Sequence, residues 1–178
     1  MKISSLSSLE EKVFSIYHSL NIIKPSQIYH MDLIEDISNM FKIKTYYFDE
    51  SSEANNMGGI YRIFLNKNQS KQAIWQDFAH ELAHILGHEG YQCSMHNPFR
   101  EYQEWQAEQF AYHFCIPTFL LNQMNLPQLQ CEAIGLIASI FNTDPIFASE
   151  RLDKWLRSRE SDLFQKHLVR LIEGSKRR

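Results

Sequence analysis

The sequence predicts an α+β fold: a small antiparallel sheet packed on helices carrying an H-E-x-x-H motif, then an all-helical C-terminal section. Three observations predict it. Apolar residues recur at helical spacing over residues 8–20 and 26–41, ahead of any strand signal. Two short stretches, residues 43–48 and 60–65, are β-branched and aromatic, the composition of strands. Beyond Pro117 every apolar pattern is again helical.

Each element has its own local cause. Ser7 and Ser8 stand three residues ahead of Glu10 and Glu11, two overlapping capping-box registers for a first helix ending near Leu20. Its apolar positions are Leu9, Val13, Ile16, Tyr17 and Leu20. Pro25-Ser26 opens a second helix with the stripe Ile28, Met31, Ile34, Ile37 and Phe41. The polar stretch 49–56, closing in Met57-Gly58-Gly59, reads as a loop between the two strands. Residues 66–70 turn the chain into a helix over 72–88, and a polar connection at 89–100 leads to another over 101–115. Ile116-Pro117 ends it, because a residue before proline disfavours the helical region. Helices follow over 118–124, 127–141, 145–159 and 161–172, with a break at Asn142-Thr143-Asp144-Pro145. The stripes of the last two long helices (Leu129, Ala133, Leu136, Ile137 and Ile140; Ile146, Phe147, Leu152, Trp155 and Leu156) call for burial on the core. That arrangement leaves Arg151, Lys154, Arg157 and Arg159 outside.

With 178 residues the chain can bury one substantial core. Its 44% hydrophobic content excludes a disordered chain. No apolar run approaches the roughly 20 residues that span a bilayer, and Met1-Lys2-Ile3-Ser4-Ser5-Leu6 lacks the core of a signal peptide. Three cysteines, Cys93, Cys115 and Cys131, lack metal-site spacing and fit a reducing compartment; a cytoplasmic location is expected. The net charge of −3 is uneven. Residues 1–150 carry nine basic against seventeen acidic side chains, and residues 151–178 nine against four. A solvated basic helix accounts for that tail, and direct nucleic-acid binding is not expected.

The run His80-Glu81-Leu82-Ala83-His84 lies in the helix expected over 72–88. Residues four apart stand on one helix face, so both imidazoles can reach one metal ion while Glu81 sits beside it without ligating. A zinc hydrolase needs that set: nitrogen ligands at about 2.0–2.1 Å and a carboxylate near the water. Composition alone gives such a run by chance about once in fifty chains of this length, so it needs support from other residues.

A catalytic zinc takes three protein ligands and keeps a fourth position open. The candidates for the third are His88, His96, Glu101, Glu104, Glu108 and His113. His88 shares the face of His84, but three ligands on successive turns would be strained and Gly87 weakens the helix there. His96 reads as a surface histidine and Glu101 as a solvated first-turn glutamate. Glu104 heads a stripe of Ala107, Ala111 and Phe114, small and apolar as close helix packing requires, where a carboxylate is costly without a partner. Glu108, one turn on, can orient a ligating histidine through its outer N–H or stand exposed. His113 can polarise a substrate carbonyl, though packing is its commoner role.

These residues resemble the ImmA/IrrE-type, gluzincin-like metallopeptidases. The matching residues are His80-Glu81-Leu82-Ala83-His84, then Glu104-x-x-Ala107-Glu108-x-Phe110-Ala111, then Ile116-Pro117; Gly58-Gly59-Ile60-Tyr61 resembles the glycine-then-strand segment ahead of the family's motif helix. The resemblance covers residues 26–117 well and the C-terminal helices loosely. Glu108 stands where the family usually has Asn or Asp, and Ala83 where Gly is common. The resemblance implies His80, His84 and Glu104 as ligands of one Zn²⁺ and Glu81 as catalytic base, with Glu108 a candidate to support a histidine. It further implies an intracellular endopeptidase that cleaves a helix-turn-helix repressor to derepress a mobile element or stress regulon. On this reading residues 1–125 form the metallopeptidase core and 126–178 a C-terminal helical section with a basic tail. The strand at 60–65 would offer an edge to an extended substrate. Two rivals are a non-catalytic module that sequesters the repressor and a toxin–antitoxin component whose basic tail contacts DNA.

Overall fold

The computed structural model describes residues 8–28, 30–87 and 97–175. Helix α1 (Ser8–Ser19) buries Val13, Ile16 and Tyr17, the stripe its spacing predicts. A 3-10 turn at Pro25–Gln27 precedes helix α2 (His30–Phe41), so the second helix starts later than Pro25-Ser26 suggested. The Gln27 side chain accepts from the N–H groups of Ile23 and Lys24, which closes a turn there.

Strands β1 (Lys44–Phe48), β2 (Glu53–Met57) and β3 (Ile60–Asn66) form one sheet in the order β1-β3-β2. Two expectations change here. The stretch read as loop contains β2, and the sheet is mixed: β1 runs parallel to β3, and β2 antiparallel. Glu53-Ala54-Asn55-Asn56-Met57 has low strand propensity. The hairpin turn holds it in place. Gly58 and Gly59, at φ +63° and +78°, supply the two left-handed residues that a two-residue turn needs. The Gly59 N–H also donates to Asn56 Oδ1 at 3.1 Å. Because β3 is central, the strand at 60–65 has no free edge to offer a substrate, contrary to expectation; among the described residues the open edges belong to β1 and β2.

Helix α3 (Lys71–Gly87) lies under the sheet and buries Trp75, Phe78, Ala79 and Leu82 completely. Ser70 caps its start, accepting from the Ala73 N–H at 3.1 Å. Lys12 donates to the Leu86 carbonyl at 2.7 Å, covering its C-terminal end with a cation. Helix α4 (Asn97–Cys115) crosses α3 through the buried small residues Ala107 and Ala111, with Phe114 completing the contact. The Tyr17 hydroxyl donates to the Phe114 carbonyl at 2.7 Å and fastens α1 to α4. Helix α5 (Thr118–Leu121) is a single turn, and α6 (Gln130–Phe141) ends at left-handed Asn142.

Helix α7 (Pro145–Ser175) is continuous, so the expected break between residues 159 and 161 does not occur. Arg157-Ser158-Arg159-Glu160 contains neither proline nor glycine, and nothing local stops it. Leu152 and Trp155 are buried, as the stripe predicted, and Ala148 joins them, whereas Leu129, Ile146 and Leu156 stay exposed. Arg151 is a correction: it is 2% exposed rather than outside. Its Nε donates to the Ile116 carbonyl at 3.1 Å and its Nη2 to Thr118 Oγ1 at 2.6 Å; Thr118 in turn donates to Glu10 Oε1 at 2.6 Å. One cation thereby joins α7, α5, the end of α4 and α1. Arg157 and Arg159 remain exposed. Cys115 is buried and Cys131 exposed, both free; Cys93 lies outside the described residues. Among the described residues no helix is long and apolar enough to cross a membrane.

His113 faces this cluster, with Nδ1 3.3 Å from Arg151 Nη2 and 3.6 Å from Glu10 Oε1. Burial and then the Arg151 charge lower its pKa to about 4, against the opposing pull of Glu10. The unfolded chain, with an ordinary histidine near 6.5, therefore binds the proton first. Stability is expected to fall as pH drops from about 6.5 towards about 4, because the folded state must take up a charge it disfavours. Urea unfolding of wild type and His113→Gln at both ends of that window checks it. An unchanged difference between the two proteins would remove His113 as a cause.

Candidate metal centre

Helix α3 turns its apolar face to the core and presents His80, Glu81 and His84 on the other side. The spacing of four brings His80 Nε2 and His84 Nε2 to 3.1 Å. The small stripe of α4 lets that helix approach closely enough for Glu104 to reach them. Glu104 Oε2 lies 3.2 Å from His80 Nε2 and 3.6 Å from His84 Nε2. The side chains are 30%, 11% and 47% exposed for His80, His84 and Glu104, so the triangle is open to solvent on the Glu104 side.

Hydrogen bonds alone do not account for the triangle. His80 Nε2 is shared by both of its contacts, and one ring nitrogen carries at most one proton, which serves one neighbour at a time. A cation satisfies all three donors together. Bonds of about 2.0–2.1 Å to a tetrahedral ion set donor atoms about 3.3 Å apart, and the three separations here bracket that value. Two neutral nitrogens and one carboxylate oxygen also match the donor preference of zinc.

Glu81 sits beside this triangle, mostly buried. Its pKa is raised to about 8, first by burial, then by the charges of Asp77 and Glu104, with Glu53 adding to them. The backbone N–H of Ala54 is aimed at the carboxylate and pulls the other way. A cation in the triangle would favour the ionised form, as any nearby positive charge does.

That Ala54 contact orients the sheet. The two-residue turn makes Met57 and Ile60 a hydrogen-bonded pair, and the pairs then alternate along an antiparallel ladder. The backbone groups of Ala54 and Asn56 accordingly face the open edge of β2, on the Glu81 side. A second tie fixes the start of the strand: Ser52 Oγ donates to Asp77 Oδ2 at 2.5 Å and accepts from the Asn66 N–H at 3.1 Å. Asp77 stands one helical turn before Glu81, so α3 holds β2 at two points. Sequence reasoning missed Asp77, Ser52 and the β2 edge; the Gly58-Gly59 pair was the signal for the hairpin.

The remaining candidates lie elsewhere. Glu108 is exposed one turn beyond Glu104, with Lys154 as its charge neighbour. Glu101 is exposed, and His113 belongs to the Arg151 cluster. His88 and His96 lie outside the described residues.

The family model of the Peptidase M78 IrrE N-terminal-like domain matches residues 33–153, from α2 into α7. The chain is also 42% identical over 167 residues to the phage-like element PBSX protein XkdA of Bacillus subtilis (strain 168), covering 94% of this chain and 82% of that protein. The uncharacterized protein YqaB of the same organism is 37% identical over 158 residues, covering 89% and 90%. A match over most of the chain, together with relatives aligned over most of their own length, places it: this protein belongs to the Peptidase M78 family of IrrE N-terminal-like domains.

Proposed function

We propose that the protein is a zinc-dependent intracellular endopeptidase that cleaves a helix-turn-helix transcriptional repressor, relieving repression of a mobile element or stress regulon. The observation that carries the chemistry is the triangle of His80, His84 and Glu104, with Glu81 beside it. Membership in a metallopeptidase family supports it, and the similarity to a phage-like element protein supports the setting.

Zinc, when bound, polarises the scissile carbonyl and makes water more acidic. His80 and His84 hold it with neutral nitrogens and Glu104 with an oxygen. Glu81 takes the proton of the attacking water and hands it to the leaving nitrogen as the peptide bond breaks. The free edge of β2 offers Asn56 N–H and C=O to an extended peptide, which strand pairing would draw past Glu81.

Metal stoichiometry tests the ligand set. Glu104→Ala is expected to lower zinc occupancy and affinity, because three ligands leave no spare. Full occupancy at unchanged affinity would transfer the third ligand to another residue. Incubation of the zinc-loaded protein with a helix-turn-helix repressor encoded beside its gene tests the substrate. Tight binding without cleavage would favour sequestration instead.

A further inference from the structure

We infer that Glu53 is a specificity-determining residue that favours a cationic side chain, lysine or arginine, in the peptide lying along β2. The inference rests on the peptidase reading and adds the charge class of its substrate. A strand paired at the open edge sets its side chains directly beside those of β2, face by face. Ala54 packs inward on the core, so Glu53, Asn55 and Met57 share the opposite face. Glu53 is the one charged side chain of the strand, is exposed, and has apolar Phe64 as its partner on β3. The nearest cation on β3, Arg62, directs its Nη1 to the carbonyls of Met57 and Ile60 at the hairpin, away from Glu53.

The surroundings reinforce the sign. The charges of Asp77, Glu104 and Glu53 all act on Glu81, whose carboxylate meets the Ala54 N–H of β2. A divalent cation cancels two of four negative charges and leaves a net negative cleft. The Ser52–Asp77 bond fixes the chain one residue before Glu53, so the backbone that carries Glu53 is tied to α3.

The test uses the zinc-loaded full chain and quenched-fluorescent peptides carrying Lys, Ala or Glu in turn at each central position. At a position beside Glu53, Lys should exceed Glu in kcat/KM by about three- to tenfold, the effect of an opposite against a like cross-strand charge. Glu53→Gln should lose the preference, Glu53→Lys should reverse it, and added salt should shrink it. The same peptides titrated onto zinc-loaded Glu81→Gln, with and without Glu53→Gln, give a readout that needs no cleavage. Charge-selective binding there with no hydrolysis by wild type would sink the peptidase reading and keep the role of Glu53. A Lys preference undiminished in Glu53→Gln, or no charge preference in either assay, would overturn the inference.

Discussion

Glu81→Gln should lower cleavage by about 10²–10⁴-fold while the protein keeps its fold and its zinc. The amide matches the carboxylate in shape and cannot accept the proton of the attacking water. Nothing in the triangle of His80, His84 and Glu104 depends on Glu81 as a donor atom. Removing a carboxylate that burial and three neighbouring charges disfavour should not destabilise the unloaded chain. Zinc stoichiometry, thermal unfolding and repressor cleavage, measured on the same preparation, separate these effects. Cleavage close to wild type would exclude Glu81 from proton transfer; loss of zinc would make it a ligand.

The second large effect concerns stability. Arg151→Met is expected to cost about 3–5 kcal/mol, the usual loss when one partner of a buried charge cluster is removed. The variant takes a donor from the Ile116 carbonyl and from Thr118, and removes the guanidinium that faces His113 near Glu10. Burial already lowers the arginine's pKa to about 10, so its charge is held there by its acceptors against a real desolvation cost. In a chain of this size the melting temperature should drop by roughly 6–20 °C. Arg157→Met, on the exposed part of the same helix, should stay within about 0.5 kcal/mol. Equal shifts in the two variants would show that Arg151 is an ordinary surface cation. Arg151→Lys should recover little, because an ammonium cannot reach the Ile116 carbonyl, Thr118 and His113 together as the fork does.

The elements legible in the sequence are those governed by local period. Helices α1, α3, α4 and α6 fall within a few residues of their expected spans because an apolar stripe and a cap or breaker mark each one. The convergence of His80, His84 and Glu104 was legible for the same reason. Spacing of four fixes the histidines, and a run of small residues announces the helix that must lie close to them. What escaped depended on partners distant in sequence. Strand β2 owes its pairing to a glycine turn and to Asp77, not to its own residues. The parallel alignment of β1 with β3 follows once β2 takes the antiparallel place beside β3. Arg151 reads as one more cation of a basic helix until Ile116, Thr118 and His113 are seen around it.

Strand β2 carries one last consequence, for solubility. An open strand edge that accepts a substrate can also accept another copy of itself, and fibrous aggregation begins in that way. Asn55, Asn56 and the charge of Glu53 make β2 a poor template for self-pairing. Two copies laid parallel and in register would also set their Glu53 carboxylates side by side. The weak strand character that hid β2 from sequence reading therefore lets the protein expose a hydrogen-bonding edge beside the His80, His84 and Glu104 triangle without being consumed by it.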